Sequence, residues 1–153
     1  MRRYVLGLGN YLRGDDGIGI HVVDRLLELE RRAGFEAVRI GNDGFQVLTY
    51  FRNDVERVLM VDCALMGLNP GEYRVFSPDS VESDKAVGAM STHEEDALRL
   101  VAMGIQNGCA MPVVRILAVQ PGNVNLDAGP VLSEPLKKSL ETYVQTAVCE
   151  IMK

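Results

Sequence analysis

No stretch of this 153-residue chain approaches the roughly 18 consecutive apolar residues that a membrane-spanning helix needs, which sets aside a helical membrane protein. Basic charge is not in excess either. Sixteen Lys and Arg stand against 21 Asp and Glu, a formal net charge of -5, so the basic footprint of a nucleic-acid-binding face is missing. Cysteine is scarce: only Cys63, Cys109 and Cys149 occur, and no two are spaced as C-x-x-C. Three thiols cannot pair fully, which argues against a disulfide scaffold and for a reduced, cytoplasmic setting. Met1-Arg2-Arg3-Tyr4-Val5-Leu6-Gly7 enters a strand pattern at once, without the apolar stretch and small-residue cleavage site of a signal peptide. The H-E-x-x-H spacing of zinc proteases and the G-x-S-x-G elbow of serine hydrolases are both absent. Low-complexity segments, internal repeats and domain linkers are lacking as well. What remains is an ordinary globular composition, 47% hydrophobic and 24% charged, at the length of a single domain spanning 1–153.

Hydrophobic periodicity divides the chain into alternating elements. Tyr4 to Gly9 is a short apolar run ended by glycine, the pattern of a buried strand. Ile18, Val22, Leu26 and Leu29 then recur at helical spacing among charged residues, and Gly34 is the expected stop of that helix. Glu36 to Ile40 alternates as a second strand and runs into Gly41-Asn42-Asp43-Gly44; a short helix is expected over Phe45 to Asn53. Val58-Leu59-Met60-Val61, within Arg57 to Ala64, is the fully apolar run of a strand buried on both faces. Asn69-Pro70-Gly71 is a turn, Glu72 to Phe76 a further strand, and Pro78 to Met90 a polar, weakly patterned segment expected to be mobile. A helix over Glu94 to Gln106 follows Thr92-His93, and Val113 to Val119 is another buried strand. After a Gly- and Pro-containing loop, Ser133 can cap a last helix with Pro135 in its first turn. Strands alternating with helices predict an α/β fold, a three-layer αβα sandwich around a twisted, mainly parallel sheet. Ligands of such sheets sit at the carboxyl ends of the strands, which directs attention to the loops after Gly9, Ile40, Val61 and Val119.

The first of these loops contains Gly9, Asp15, Asp16, Gly17 and Gly19. A dinucleotide-binding turn fails there, because Leu12 stands where G-x-G-x-x-G needs glycine, and two carboxylates would repel a pyrophosphate. Asp15 and Asp16 suit a cation better, or one of them caps the following helix. Asp62, placed directly after an apolar strand, needs a partner if it is buried; a helix N-terminus, a metal and a substrate group all qualify. Of the two histidines, His21 falls between the apolar positions of its helix and is expected to be solvated or structural. His93 sits where a polar segment meets a helix. It is either an exposed loop residue or, with Asp16 and Asp62, the third member of a two-carboxylate, one-imidazole set suited to a divalent transition metal.

Taken in order, these motifs resemble those of the hydrogenase maturation endopeptidases over essentially the whole chain. Gly7-x-Gly9-Asn10-x-x-x-x-Asp15-Asp16-Gly17-x-Gly19 is similar to that family's first signature, Val61-Asp62 to its second and Thr92-His93 to its third. Gly67-Leu68-Asn69-Pro70-Gly71-Glu72 and Val119-Gln120-Pro121 look most like the branch that processes hydrogenase 3-type large subunits. The resemblance implies a hydrolase, an aspartic-type or metal-assisted endopeptidase. It would trim the precursor of a [NiFe]-hydrogenase large subunit shortly after its last nickel-binding Cys-x-x-Cys-x-x-His/Arg motif. Nickel already inserted into that substrate would serve as the recognition element. The family's three metal-contacting positions carry over to Asp16, Asp62 and His93. Two departures stand out. Many members have glutamate where this chain has Asp16, and the loop that usually reads Asp-Gly-Gly is here Asn42-Asp43-Gly44. Two other classes are open to the residues alone: a non-proteolytic chaperone holding the large subunit during nickel loading, and a nucleotide-binding regulator of Rossmann type.

Overall fold

The computed structural model describes residues 1–29, 34–79 and 92–153, the side chains of 92–96 excepted. Five strands form one sheet: β1 (Arg2–Leu8), β2 (Glu36–Gly41), β3 (Val55–Cys63), β4 (Tyr73–Phe76) and β5 (Val113–Val119), in the order β2-β1-β3-β5-β4. The first three pairings are parallel, and only the edge strand β4 runs antiparallel, against β5. Among the described residues three α-helices accompany the sheet: α1 (Ile18–Glu28), α2 (Thr92–Gln106) and α3 (Glu134–Ile151). The expected sandwich is therefore the observed one.

Strand alternation distributes the core to both sides of the sheet. Tyr4, Leu6, Val58, Met60, Val114 and Ile116 face the layer containing α2, where Ala97, Leu100 and Val101 meet them. Val5, Leu59, Val61, Leu117 and Val119 face α1 and α3. Ile18, Val22, Val23 and Leu26 are the buried stripe of α1, each contributing about 1.5–3 kcal/mol by leaving water. Beyond Leu26 nothing on that helix is buried, since Leu27 and Leu29 are exposed. With no apolar face left to hold another turn, the helix ends at Glu28, ahead of the stop expected at Gly34. The short helix expected over 45–53 is a 3-10 helix, Gly44–Tyr50, which buries Val47. The polar segment from Pro78 to Met90 lies, from residue 80 onward, outside the described residues. Within the described residues no helix is long and apolar enough to cross a membrane.

The sheet has one feature that places a site. From β1 the chain moves outward to β2, then returns past β1 to β3 on its other side. The loops after β1 and β3 thus diverge from neighbouring strand ends, and that divergence opens a crevice at the carboxyl edge.

Candidate active site

The loop leaving β1 tightens into a 3-10 helix, Gly14–Gly17, before α1 begins. Gly9 makes this return possible. Its φ is +105°, and a Cβ there would lie 2.0 Å from the Asp16 carbonyl oxygen. Gly19 lets α1 descend onto the strands, because a Cβ on it would meet the Val61 carbonyl oxygen at 2.2 Å and that of Leu8 at 2.6 Å. These approaches bring the loop's two aspartates, both buried, against the end of β3.

The two have different tasks. Neither caps α1, whose N-cap is Gly17 without a side-chain bond, so the capping alternative is set aside. Asp15 faces the far loop. It accepts the backbone N–H groups of Gly122 (2.7 Å), Asn123 (2.9 Å) and Ser133 (2.8 Å), and the Ser133 hydroxyl donates to it as well (2.6 Å). Ser133 occupies the N-cap position of α3 as expected, but its hydroxyl serves Asp15 and makes no cap. Asp15 is thereby committed to holding the 120–133 loop.

Asp16 faces the crevice. Its Oδ2 accepts the Asn10 N–H at 2.9 Å, and the Cys63 thiol donates to Oδ1 at 3.2 Å. Asp62, the penultimate residue of β3, is also buried, and its Oδ1 accepts the Cys63 N–H at 2.8 Å. Asp16, Asp62 and Cys63 each offer a potential ligand atom, all within 4.8 Å of one another. Two carboxylate charges that close repel on the order of 3 kcal/mol at an effective dielectric constant of about 20, so the arrangement suits a bound cation. Burial pushes the Cys63 thiol up, and the charges of Asp62 and Asp16 push it the same way. The thiol stays protonated and acts as a donor.

Above the carboxylates lies a cleft of about 270 Å³. Gly41, Asn42, Gly44 and Phe45 line it from the β2 side, and Arg99, Leu100 and Met103 from α2. Three of the four loops singled out by the strand-end rule, those after β1, β2 and β3, meet here. The fourth, after β5, is turned to Asp15. Asn42 lines the cleft, whereas Asp43 is exposed and accepts a bond from Gln46 Nε2 (3.4 Å). His93 is the second residue of α2, and its side chain lies outside the described residues. His21 stacks at 5.0 Å on Tyr11, and burial lowers its pKa. It is not among the residues that line the cleft. Cys63 and the clamp made by Asp15 were not foreseen: the pattern marks Cys63 only as the residue after Asp62, and Asp15 only as the twin of Asp16.

The family model described as hydrogenase maturation protease matches residues 20–150. The chain belongs to the hydrogenase maturation protease family. It is a hydrogenase maturation endopeptidase, a hydrolase. Among curated relatives of this protease, the hydrogenase expression/formation protein HoxM of Azotobacter vinelandii is 28% identical over 150 residues, 94% of this chain and 69% of that one. A putative hydrogenase maturation protease of Methanocaldococcus jannaschii is 24% identical over 151 residues, 97% and 96% of the two chains. Among solved structures, the maturation protease HycI from Thermococcus kodakarensis matches at 27% identity and a TM-score of 0.70, covering 98% of this chain and 91% of that one. The maturating endopeptidase HybD from E. coli shares the fold at a TM-score of 0.81, with 20% identity and coverage of 99% and 93%.

Proposed function

We propose that this maturation protease removes the C-terminal extension of a [NiFe]-hydrogenase large-subunit precursor after nickel insertion, and that it recognises the substrate's nickel through Asp16, Asp62 and His93. The observation that carries the reading is the pair of buried carboxylates, Asp16 and Asp62, held within 4.8 Å at the base of an open cleft. The cleft can take an extended tail but not a folded domain, which suits a substrate that presents its C-terminus.

The chemistry of the donors explains why the metal belongs to the substrate. Two carboxylates and one imidazole bind nickel less firmly than a cluster of thiolates does. A single buried thiol, Cys63, does not match the several thiolates that the precursor's nickel-binding motif supplies. The protease can therefore complete the shell of a nickel held by the precursor's cysteines without extracting it. With the metal and the tail held together, the scissile bond is positioned over the carboxylates, and positioning alone supplies much of a rate enhancement. A metal there can also polarise the scissile carbonyl or a water, and a carboxylate can accept the water's proton.

The test is mass spectrometry of precursor incubated with the protease. Nickel-loaded precursor should lose its tail, and nickel-free precursor should not. Chelator-treated protease should remain competent, and zinc added to protease and nickel-free precursor should give no cleavage. A chelated protease that is inactive and recovers with zinc alone would establish a resident metal centre and overturn the substrate-nickel account.

A further inference from the structure

We propose that Cys63 is a positioning residue that sets the spacing and orientation of the two site carboxylates. The inference rests on the reading of Asp16 and Asp62 as the site that handles the substrate's nickel. Cys63 donates to both: its backbone N–H to Asp62 Oδ1 at 2.8 Å, its thiol to Asp16 Oδ1 at 3.2 Å. Strand geometry makes this possible. Successive side chains on β3 leave opposite faces, so Asp62 points toward the cleft on the α2 side and Cys63 toward α1. The 3-10 turn that leads into α1 brings Asp16 down to meet it.

The consequence concerns freedom of rotation. An aspartate's last torsion is soft, and a carboxylate fixed at one oxygen can still swing. Asp16 is fixed at both, Oδ2 by the Asn10 N–H and Oδ1 by the thiol. A thiol is also a weak donor. It orients the carboxylate while leaving most of the electron density of Oδ1 for a metal. A hydroxyl would orient it as well, at a somewhat shorter distance. A methyl group would not orient it at all.

The experiment uses the full chain, with nickel-loaded precursor as substrate and the variants Cys63→Ala and Cys63→Ser. Cys63→Ala should lower kcat about tenfold with KM within about twofold, the scale seen when a residue orienting a metal ligand is lost. Cys63→Ser should recover the rate to within about threefold. An infrared difference spectrum, parent minus Cys63→Ser, isolates the Cys63 S–H stretch. That band should lie at the lower frequency of a bonded thiol and rise in Asp16→Ala. A band that Asp16→Ala leaves in place overturns the proposal. Parental rates in both Cys63 variants overturn it too, as do equal losses in both, which would mark a packing role. If the parent leaves nickel-loaded precursor uncut, the substrate-nickel reading fails, and the S–H band by itself still decides whether Cys63 holds Asp16.

Discussion

Replacing Asp15 with alanine should destabilise the fold far more than replacing its neighbour Asp16. Asp15 is wholly buried and accepts four bonds, three from backbone N–H groups and one from the Ser133 hydroxyl. Hydrogen bonds to a charged group contribute about 1.5–3 kcal/mol each, and a donor stranded without a partner costs about 1–3 kcal/mol. Gly122 and Asn123 are exposed, so their N–H groups can recover water and lose only part of that. Ser133 is half-buried at the start of α3 and recovers less. The total comes to about 3–4 kcal/mol. For a domain of this size each kcal/mol shifts the thermal midpoint by about 2–4 °C, so Asp15→Ala should melt roughly 10 °C below the parent. Asp15→Asn should fall between the two, because the amide oxygen can still accept while its NH₂ group confronts donors. Differential scanning calorimetry of the three proteins decides the matter. If Asp15→Ala melts within about 2 °C of the parent, the clamp carries no net stability and the reasoning fails.

The remaining predictions separate chemistry from architecture. Asp62→Asn should abolish precursor cleavage while the melting temperature stays within about 3 °C, since the amide oxygen can still accept the Cys63 N–H; normal processing would remove Asp62 from the site. His93→Ala should slow processing at least about tenfold and weaken binding of nickel-loaded precursor more than nickel-free precursor; titration calorimetry showing equal weakening would assign it to a protein contact. Gly19→Ala should cost about 3 kcal/mol or more, read as insoluble expression or a greatly lowered midpoint, because the new Cβ would meet backbone on two strands. Burial works to raise the Glu150 carboxyl, but Lys153 at 2.6 Å and Arg115 at 3.4 Å outweigh it and hold the group below the usual glutamate range. Its stabilisation is therefore present above the ordinary carboxylate pKa and lost as pH falls through the depressed value. Glu150→Gln should cost about 1 kcal/mol near neutrality, and melts at successively lower pH should show the gap closing as pH falls below the ordinary glutamate range.

Much of this protein could be inferred from order along the chain. The apolar runs at Val58–Val61 and Val113–Val119, the helical stripe read from Ile18 to Leu29 and the alternation of strands with helices were enough to predict a parallel sheet between helical layers, although Leu29 itself proved exposed. Those signals are local: side-chain period follows backbone geometry within a few residues. The strand-end rule likewise placed Asp16 and Asp62 at one edge of the sheet. The division of labour within Asp15-Asp16 was beyond such reasoning, because it depends on which way each side chain leaves a single 3-10 turn and what waits there. Asp15 meets a loop more than a hundred residues away, and Asp16 meets the thiol of Cys63, 47 positions along the chain. The displacement of Asp43 from the cleft in favour of Asn42 has the same origin. Periodicity reports which face a residue takes within its own element. Only the packing of elements distant in the chain decides what that face touches, and with buried carboxylates the partner determines whether the charge holds a loop or lines the cleft.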